Sequence, residues 1–328
     1  MKLSIVIAHH NEPWEVVKPL FDSLAMQRGI DWRDIEVLLI QDGEEGTLEK
    51  DRFICYNLPV VMYVLPNGGV SKARNHGIDA SKGEYVMMCD CDDVFHSAYG
   101  LHLVFSAMEG EPDIINSGFI EESRVDGGYH MFAHDGDITF VHGKAFRKEF
   151  LDHEVLRFPE HIKKHEDGAM IGLAFQLTQK VKYIKTPFYT WVWNPGSVMR
   201  RDGVSEALLL SYDELMNARV AFIEGIKIRR PDTDIGRHVA MTVFTAYYDF
   251  QREVFNKPEN AADAKKAGLA FKGFYERYKD EYLKNDSKVL SELAQKARTT
   301  AYNNGMIMER MTIGQFLNMI SGLNGKTR

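Results

Sequence analysis

Gly83-Glu84-Tyr85-Val86-Met87-Met88-Cys89-Asp90-Cys91-Asp92-Asp93 is a short apolar run that stops abruptly at three carboxylates. The unbroken apolar stretch Tyr85 to Cys89 reads as a strand buried on both faces, the pattern of an interior strand in a parallel sheet. Open α/β sheets place ligands at the carboxyl ends of their strands, so Asp90 and Asp92 stand where a ligand belongs. Crowded negative charges repel one another and favour a cation. Two readings of the string are open. Oxygen-only ligands suit Mg²⁺ or Mn²⁺, whose coordination shell is completed by water and substrate phosphates. The other reading is an acidic turn that caps the next helix through Asp93 or Ser97.

On either side of this strand the chain alternates between two patterns. Leu3 to Ala8, Ile35 to Ile40 and Val60 to Leu65 read as strands, and Asp113 to Phe119 as a further one. Trp14 to Gln27, Val70 to Ala80 and Ala98 to Met108 carry apolar residues at helical spacing. Such alternation is the mark of βαβ units, and it predicts an α/β fold with a mostly parallel sheet flanked by helices. Val125 to Tyr129 reads as a hairpin turn, Lys144 to Leu151 and Asp167 to Leu177 as helices, and Tyr183 to Trp193 as a strand interrupted by Pro187. From about Ser205 onward only long amphipathic helices are predicted, over Glu206 to Ile226 and Thr233 to Phe255. The expected organisation is a catalytic domain over 1–203 and a helical subdomain over 204–328.

With 328 residues and 45% apolar content, the chain can bury a sizeable core. A net charge of -7 argues against a generally basic, nucleic-acid-binding surface. Local basic stretches do occur at Lys144 to Lys148, Lys163-Lys164, Arg200-Arg201 and Lys227 to Arg230. Cys55, Cys89 and Cys91 fit neither a zinc spacing nor a disulfide framework, so a reducing cytoplasm is expected. His161 and His165 have i, i+4 spacing but no intervening glutamate of the metalloprotease kind. The apolar run at the N-terminus is too short for a signal peptide, and no stretch reaches the ~18 apolar residues of a membrane span, so a soluble protein is expected.

Four segments close successive elements of the predicted sheet. They are Ile7-Ala8-His9-His10-Asn11-Glu12, Leu39-Ile40-Gln41-Asp42-Gly43, Gly69-Val70-Ser71-Lys72-Ala73-Arg74-Asn75-His76-Gly77, and the acidic string. In this order they resemble the family 2 glycosyltransferases of the Rossmann-like GT-A fold. The resemblance covers about residues 1–200 and is most specific over Gly69 to Asp93. It implies a nucleotide-diphospho-sugar donor, usually with uracil as base. Ala8, His10 and Glu12 then fall against base and ribose, Asp42 on the base, and Arg74 beside the diphosphate. Asp90 and Asp92 match an Asp-x-Asp element, Asp90 reaching ribose or sugar and Asp92, with Asp90, holding Mn²⁺ or Mg²⁺. Lys164-His165-Glu166-Asp167-Gly168 resembles the element that supplies the general base, here Asp167 with Glu166 in reserve, and implies inversion at the anomeric carbon. Val141 to Arg147 resembles the acceptor side, and Trp191 to Arg200 a loop over the diphosphate in which Arg200 or Arg201 supplies the positive charge.

The chain departs from that family where it has Ala8 and His10 in place of proline and tyrosine, and Gln41 before Asp42. Its implied acceptor is a cell-surface glycan or polymer. The basic stretches keep open a hydroxylated base of modified DNA, and the helices beyond 205 a contact with acceptor or second subunit. Two other functions compete. Val86 to Val94 also fits the strand and Asp-x-Asp of haloacid-dehalogenase-like phosphatases, although there the motif generally ends the first strand. A non-catalytic sugar-nucleotide-binding protein would have no use for Asp90, Asp92 and Asp167 together.

Overall fold

Strands β1 (Leu3–His9) and β2 (Ile35–Asp42) bury every residue, which places them in the middle of a sheet covered on both faces. The computed structural model describes residues 1–44, 48–125, 128–194, 208–255 and 260–323. Strands β3 (Val60–Leu65) and β4 (Tyr85–Asp90) flank the central pair, all four in parallel. Ala8 lies opposite both Ile40 and Asp90, so the ends of β1, β2 and β4 share one edge. Helices α1 (Trp14–Ala25), α2 (Val70–Ala80) and α3 (Gly100–Ala107) supply the connections. α2 lies so near β1 that a Cβ on Gly77 would stand 2.1 Å from Val6 Cγ1.

The sheet is completed by β6 (Ile114–Asn116), β9 (Lys144–Arg147) and β10 (Val181–Tyr183), in the order β10-β6-β9-β4-β1-β2-β3. β9 runs antiparallel to β4 and β6, so the sheet is mostly but not wholly parallel. This corrects the helix expected over Lys144 to Leu151, of which only α4 (Lys148–His153) is helical. Ala145, Phe146, Phe150 and Leu151 satisfy a helical repeat, but Ala145 and Phe146 fill the slot between two strands, and pairing overrides the local pattern.

The strand expected over Asp113 to Phe119 is divided between two sheets. β6 stays in the first, and β7 (Phe119–Val125) joins a second of order β5-β11-β7-β8, with β5 (Val94–Phe95), β8 (Gly128–His134) and β11 (Tyr189–Trp191). The switch occurs at Gly118, whose φ of +66° and 2.4 Å approach of a would-be Cβ to the His134 carbonyl exclude a side chain. The expected hairpin is β7 with β8, the centre of its turn (126–127) lying outside the described residues. Helix α5 (Glu166–Leu177) follows α4.

The chain separates into two units, Met1–Pro195 and Gly196–Arg328. The boundary expected at 203 lies outside the described residues. The second unit is helical, with α6 (Tyr212–Arg229), α7 (Gly236–Phe250), α8 (Ala261–Leu283), α9 (Ser287–Asn303) and α10 (Ile313–Ser321). α7 continues as a π turn over Gln251–Phe255, the end of the helix expected from Thr233. Phe316 packs its ring against Phe250 and Phe271 in this unit's core. Among the described residues no helix is long and apolar enough to cross a membrane.

Candidate active site

At the shared strand edge the chain leaves β1 through a tight reversal, with Asn11 at φ 65°. Buried His9 holds the Glu12 carbonyl through Nε2 at 2.9 Å, and the His10 N–H donates to Glu12 Oε2 at 2.7 Å. The His10 ring is fixed over Gly43 by a 2.5 Å contact from Nδ1 to the Asp42 carbonyl. Asp42 is nearly inaccessible, and its two oxygens accept the N–H groups of Gly68 and Gly69, each at 2.7 Å. The carboxylate expected to meet a base therefore also secures the glycine turn before α2. Ala8, His10, Glu12 and Asp42 form one end of the edge, and Arg200 lies outside the described residues.

Arg74 is the centre of the site. One turn before Gly77 on α2, it is 3% exposed and stacks its guanidinium 5.3 Å from the Phe158 ring centre. Its two terminal nitrogens bind three carboxylates: Asp90 Oδ1 at 2.7 Å, Asp167 Oδ1 at 2.7 Å and Glu166 Oε1 at 3.0 Å. Asn75 fixes the platform beneath it. The Asn75 Nδ2 donates to the Phe158 carbonyl at 2.9 Å, and the Phe158 N–H returns a bond to Oδ1 at 2.8 Å. Glu166 and Asp167 reach Arg74 because His165, at φ 66°, turns the chain sharply into α5. His161 and His165 precede that helix, so they do not share a helix face and the i, i+4 metal spacing is lost.

The charges around Arg74 are unbalanced, three carboxylates to one cation. Burial works against the arginine's charge, but Asp167, Asp90 and Glu166 outweigh it and hold the guanidinium protonated beyond its ordinary range. The buried Asp167 responds in the opposite sense. Burial, with Glu166 and Asp90 adding to it, pushes its carboxyl up to about 8 in spite of Arg74 and of the Val141 N–H at 3.4 Å. Asp167 is thus a base poised near neutrality.

Asp92 lies beside Asp90, partly exposed, and accepts a 2.9 Å bond from Asn194 Nδ2. Burial first and the Asp90 charge second raise its pKa. Asp93 corrects an expectation: it does not cap α3, whose N-cap is Tyr99, but points inward and is fully buried. It accepts from the Tyr189 hydroxyl at 2.8 Å and the Val192 N–H at 2.9 Å. Ligand atoms of Asp90, Asp93 and His142 also lie within 4.8 Å of one another.

The basic stretch at Lys144 to Lys148 does not form a free cationic surface. Lys144 is fully buried and binds Asp137 at 3.1 Å, Arg147 pairs with Glu149, and Lys148 binds Asp152 at 2.5 Å. Trp191 packs 5.1 Å from His142 and 5.3 Å from Phe140, and Trp193 lies under the Arg124 guanidinium at 5.4 Å. The structure therefore joins Asp90, Glu166 and Asp167 directly and sets Asp92 next to them. Asn75 and Asn194 fall in segments that the sequence places at the site, but their own roles, like that of Tyr189, are not legible there, because each acts on a segment remote in sequence. The only sign of Tyr189 was its place in an apolar, strand-like run.

The family model described as glycosyl transferase family 2 matches residues 4–182. The chain is 28% identical over 247 residues to the uncharacterized glycosyltransferase EpsJ of Bacillus subtilis, covering 67% of this chain and 69% of that one. It is 26% identical over 269 residues to the poly(ribitol-phosphate) beta-glucosyltransferase of Bacillus spizizenii, covering 77% of this chain and 41% of the relative. The crystal structure of S. aureus TarS superposes with a TM-score of 0.63 at 17% identity, over 93% of this chain and 54% of that one. The chain thus spans about two fifths of the second relative and about half of TarS.

Proposed function

The chain belongs to glycosyl transferase family 2 and has the GT-A fold, and we propose that it moves a sugar from a nucleotide-diphospho-sugar to an acceptor hydroxyl with inversion. The observation that carries this reading is the single guanidinium of Arg74 bonded at once to Asp90 and to Asp167. It brings the carboxylate that ends β4 within reach of a base with a raised pKa, so donor and acceptor chemistry meet around one side chain.

The residues at the end of β4 suit a hard divalent cation. Asp90 and Asp92 offer oxygen alone, and the raised pKa of Asp92 beside Asp90 marks a place where added positive charge is favoured. Asp92 with Asp90 would hold Mn²⁺ or Mg²⁺, which when bound neutralises charge developing on the departing diphosphate. The chain's own part is acid–base and positional. Asp167 takes the proton of the acceptor hydroxyl as its oxygen attacks the anomeric carbon from the face opposite the leaving group. Arg74 fixes the orientation of that carboxylate, and Glu166 shares the load on Arg74. His10, Ala8, Glu12 and Asp42 receive the nucleotide at the ends of β1 and β2, and Arg200 meets the diphosphate.

Uracil is the proposed base, supported by S. aureus TarS having been solved with UDP and with UDP-GlcNAc. A cell-surface polymer is the proposed acceptor, supported by the relative named for poly(ribitol-phosphate). The paired cations of 144–148 favour this over a nucleic acid acceptor. The helical unit is assigned to acceptor or subunit contacts, and the free cysteines support a reducing, cytoplasmic setting. The reading is tested by thermal denaturation with a panel of nucleotide-sugars, with and without Mn²⁺. A UDP-sugar is expected to raise the Tm only when Mn²⁺ is present, and Asp92→Asn to abolish the metal-dependent part. Stabilisation by no nucleotide-sugar would refute it.

A further inference from the structure

Asp93 stands apart from its neighbours in the acidic turn. It is fully buried, and each of its oxygens already has a donor: the Tyr189 hydroxyl at 2.8 Å on Oδ2 and the Val192 N–H at 2.9 Å on Oδ1. The His142 Nδ1 lies 3.5 Å from Oδ2. Tyr189 does a second task with the same oxygen, which accepts the Asp90 N–H at 3.2 Å. Beyond β11, Asn194 donates to Asp92 at 2.9 Å. Strand register explains the convergence. β5 leaves the turn antiparallel to β11, with Val94 opposite Thr190 and Phe95 opposite Tyr189, so the turn's carboxylates meet the far end of β11.

We infer that Asp93 and Tyr189 are positioning residues of the acidic turn, which hold the backbone of Asp90 and the adjoining Asp92 in the geometry that receives the cation, without ligating it themselves. The inference rests on the reading that Asp92 carries a divalent ion. Both Asp93 oxygens are already engaged by donors in a buried place, so moving the carboxylate toward a metal would loosen its bonds from the Tyr189 hydroxyl and the Val192 N–H. The Tyr189 ring is independently packed, edge-on to Phe95 at 5.4 Å and stacked on His142 at 5.6 Å, so its hydroxyl is delivered by a rigid support.

The test is Mn²⁺ affinity, measured by the electron paramagnetic resonance of free Mn²⁺ in the presence of UDP, for wild type, Tyr189→Phe, Asp93→Asn and Asp92→Asn. Tyr189→Phe keeps the ring and deletes only the hydroxyl. Groups that orient a metal ligand typically govern about 10–100-fold in metal affinity, so a loss of about 10-fold or more is expected for Tyr189→Phe and for Asp93→Asn, against abolition in Asp92→Asn. Turnover of Tyr189→Phe should recover at saturating Mn²⁺, raising the metal requirement and leaving kcat nearly intact. Wild-type affinity in Tyr189→Phe, with Asp92→Asn defective, overturns the positioning role alone. A defect in Asp93→Asn as complete as that of Asp92→Asn, unrelieved by excess Mn²⁺, makes Asp93 a ligand and overturns it too. A wild-type protein that binds no Mn²⁺ beside UDP overturns the metal reading and this inference together.

Discussion

Replacing Arg74 by methionine keeps most of the side chain's volume over Phe158 and removes the cation that three carboxylates share. The residue is 3% exposed and binds Asp90, Asp167 and Glu166 at 2.7, 2.7 and 3.0 Å. Breaking a buried ion pair by deleting one partner costs about 3–5 kcal/mol, because the other partner is left buried and uncompensated. For a domain of roughly 150–250 residues each kcal/mol lowers Tm by about 2–4 °C, so a fall of about 6–20 °C is expected. The pH dependence provides a second check. Arg74 holds the Asp167 carboxyl down against its burial, so without Arg74 that carboxyl rises further above its wild-type value of about 8. A raised carboxyl pKa gives stability that is present at low pH and lost as pH rises through it. The gap between wild type and Arg74→Met should therefore change little from about pH 5 to 7 and widen as pH rises through about 8. The assay is thermal denaturation followed by circular dichroism across that range. A fall in Tm of under about 2 °C at pH 8, less than 1 kcal/mol on the same scale, or a gap that does not change with pH, would refute the claim that Arg74 organises the site.

Asp167→Asn is expected to lower kcat by about 10²–10⁴-fold, the usual contribution of a general base, with little change in donor affinity measured by calorimetry. Because the Asp167 pKa is raised from 3.8 to about 8 in the folded protein, its contribution to stability is present at low pH and lost between these values. Asp167→Asn should thus gain Tm relative to wild type as pH rises from 5 to 8 or so, and wild-type kcat/KM of the free enzyme should climb along a limb near pH 8. Asn75→Ala removes the paired bonds that hold Phe158 under Arg74, and should destabilise by about 1–3 kcal/mol in denaturant titration and reduce turnover. Gly143→Ala should prevent folding to a soluble product, since its φ is +67° and a Cβ would sit 2.0 Å from the Gly118 carbonyl oxygen.

The parallel core was legible because burial on both faces writes continuous apolar runs into the sequence. Leu3 to Ala8, Ile35 to Ile40 and Tyr85 to Cys89 fall within the observed β1, β2 and β4 for that reason. Spacing misled at Lys144 to Arg147, where a helical repeat lies in a strand chosen by its neighbours. The three carboxylates of the acidic turn are identical in sequence character, and only their surroundings separate them: Asp90 on Arg74, Asp92 on Asn194, Asp93 turned inward. Long-range pairings carry those differences. Tyr189 is 96 positions from Asp93, and Glu166 is 92 from Arg74, so no local pattern announces either contact.

Arg74 and the acidic turn make one prediction about stereochemistry that can be read without knowing the acceptor. Incubated with Mn²⁺ and an α-linked UDP-sugar that stabilises it, the protein should release the sugar slowly to water. Proton nuclear magnetic resonance of the freshly released sugar, recorded before mutarotation, should show the β anomer first and no release by Asp167→Asn. First appearance of the α anomer, or unchanged release by Asp167→Asn, would contradict the assignment of Asp167 as the base of an inverting transfer.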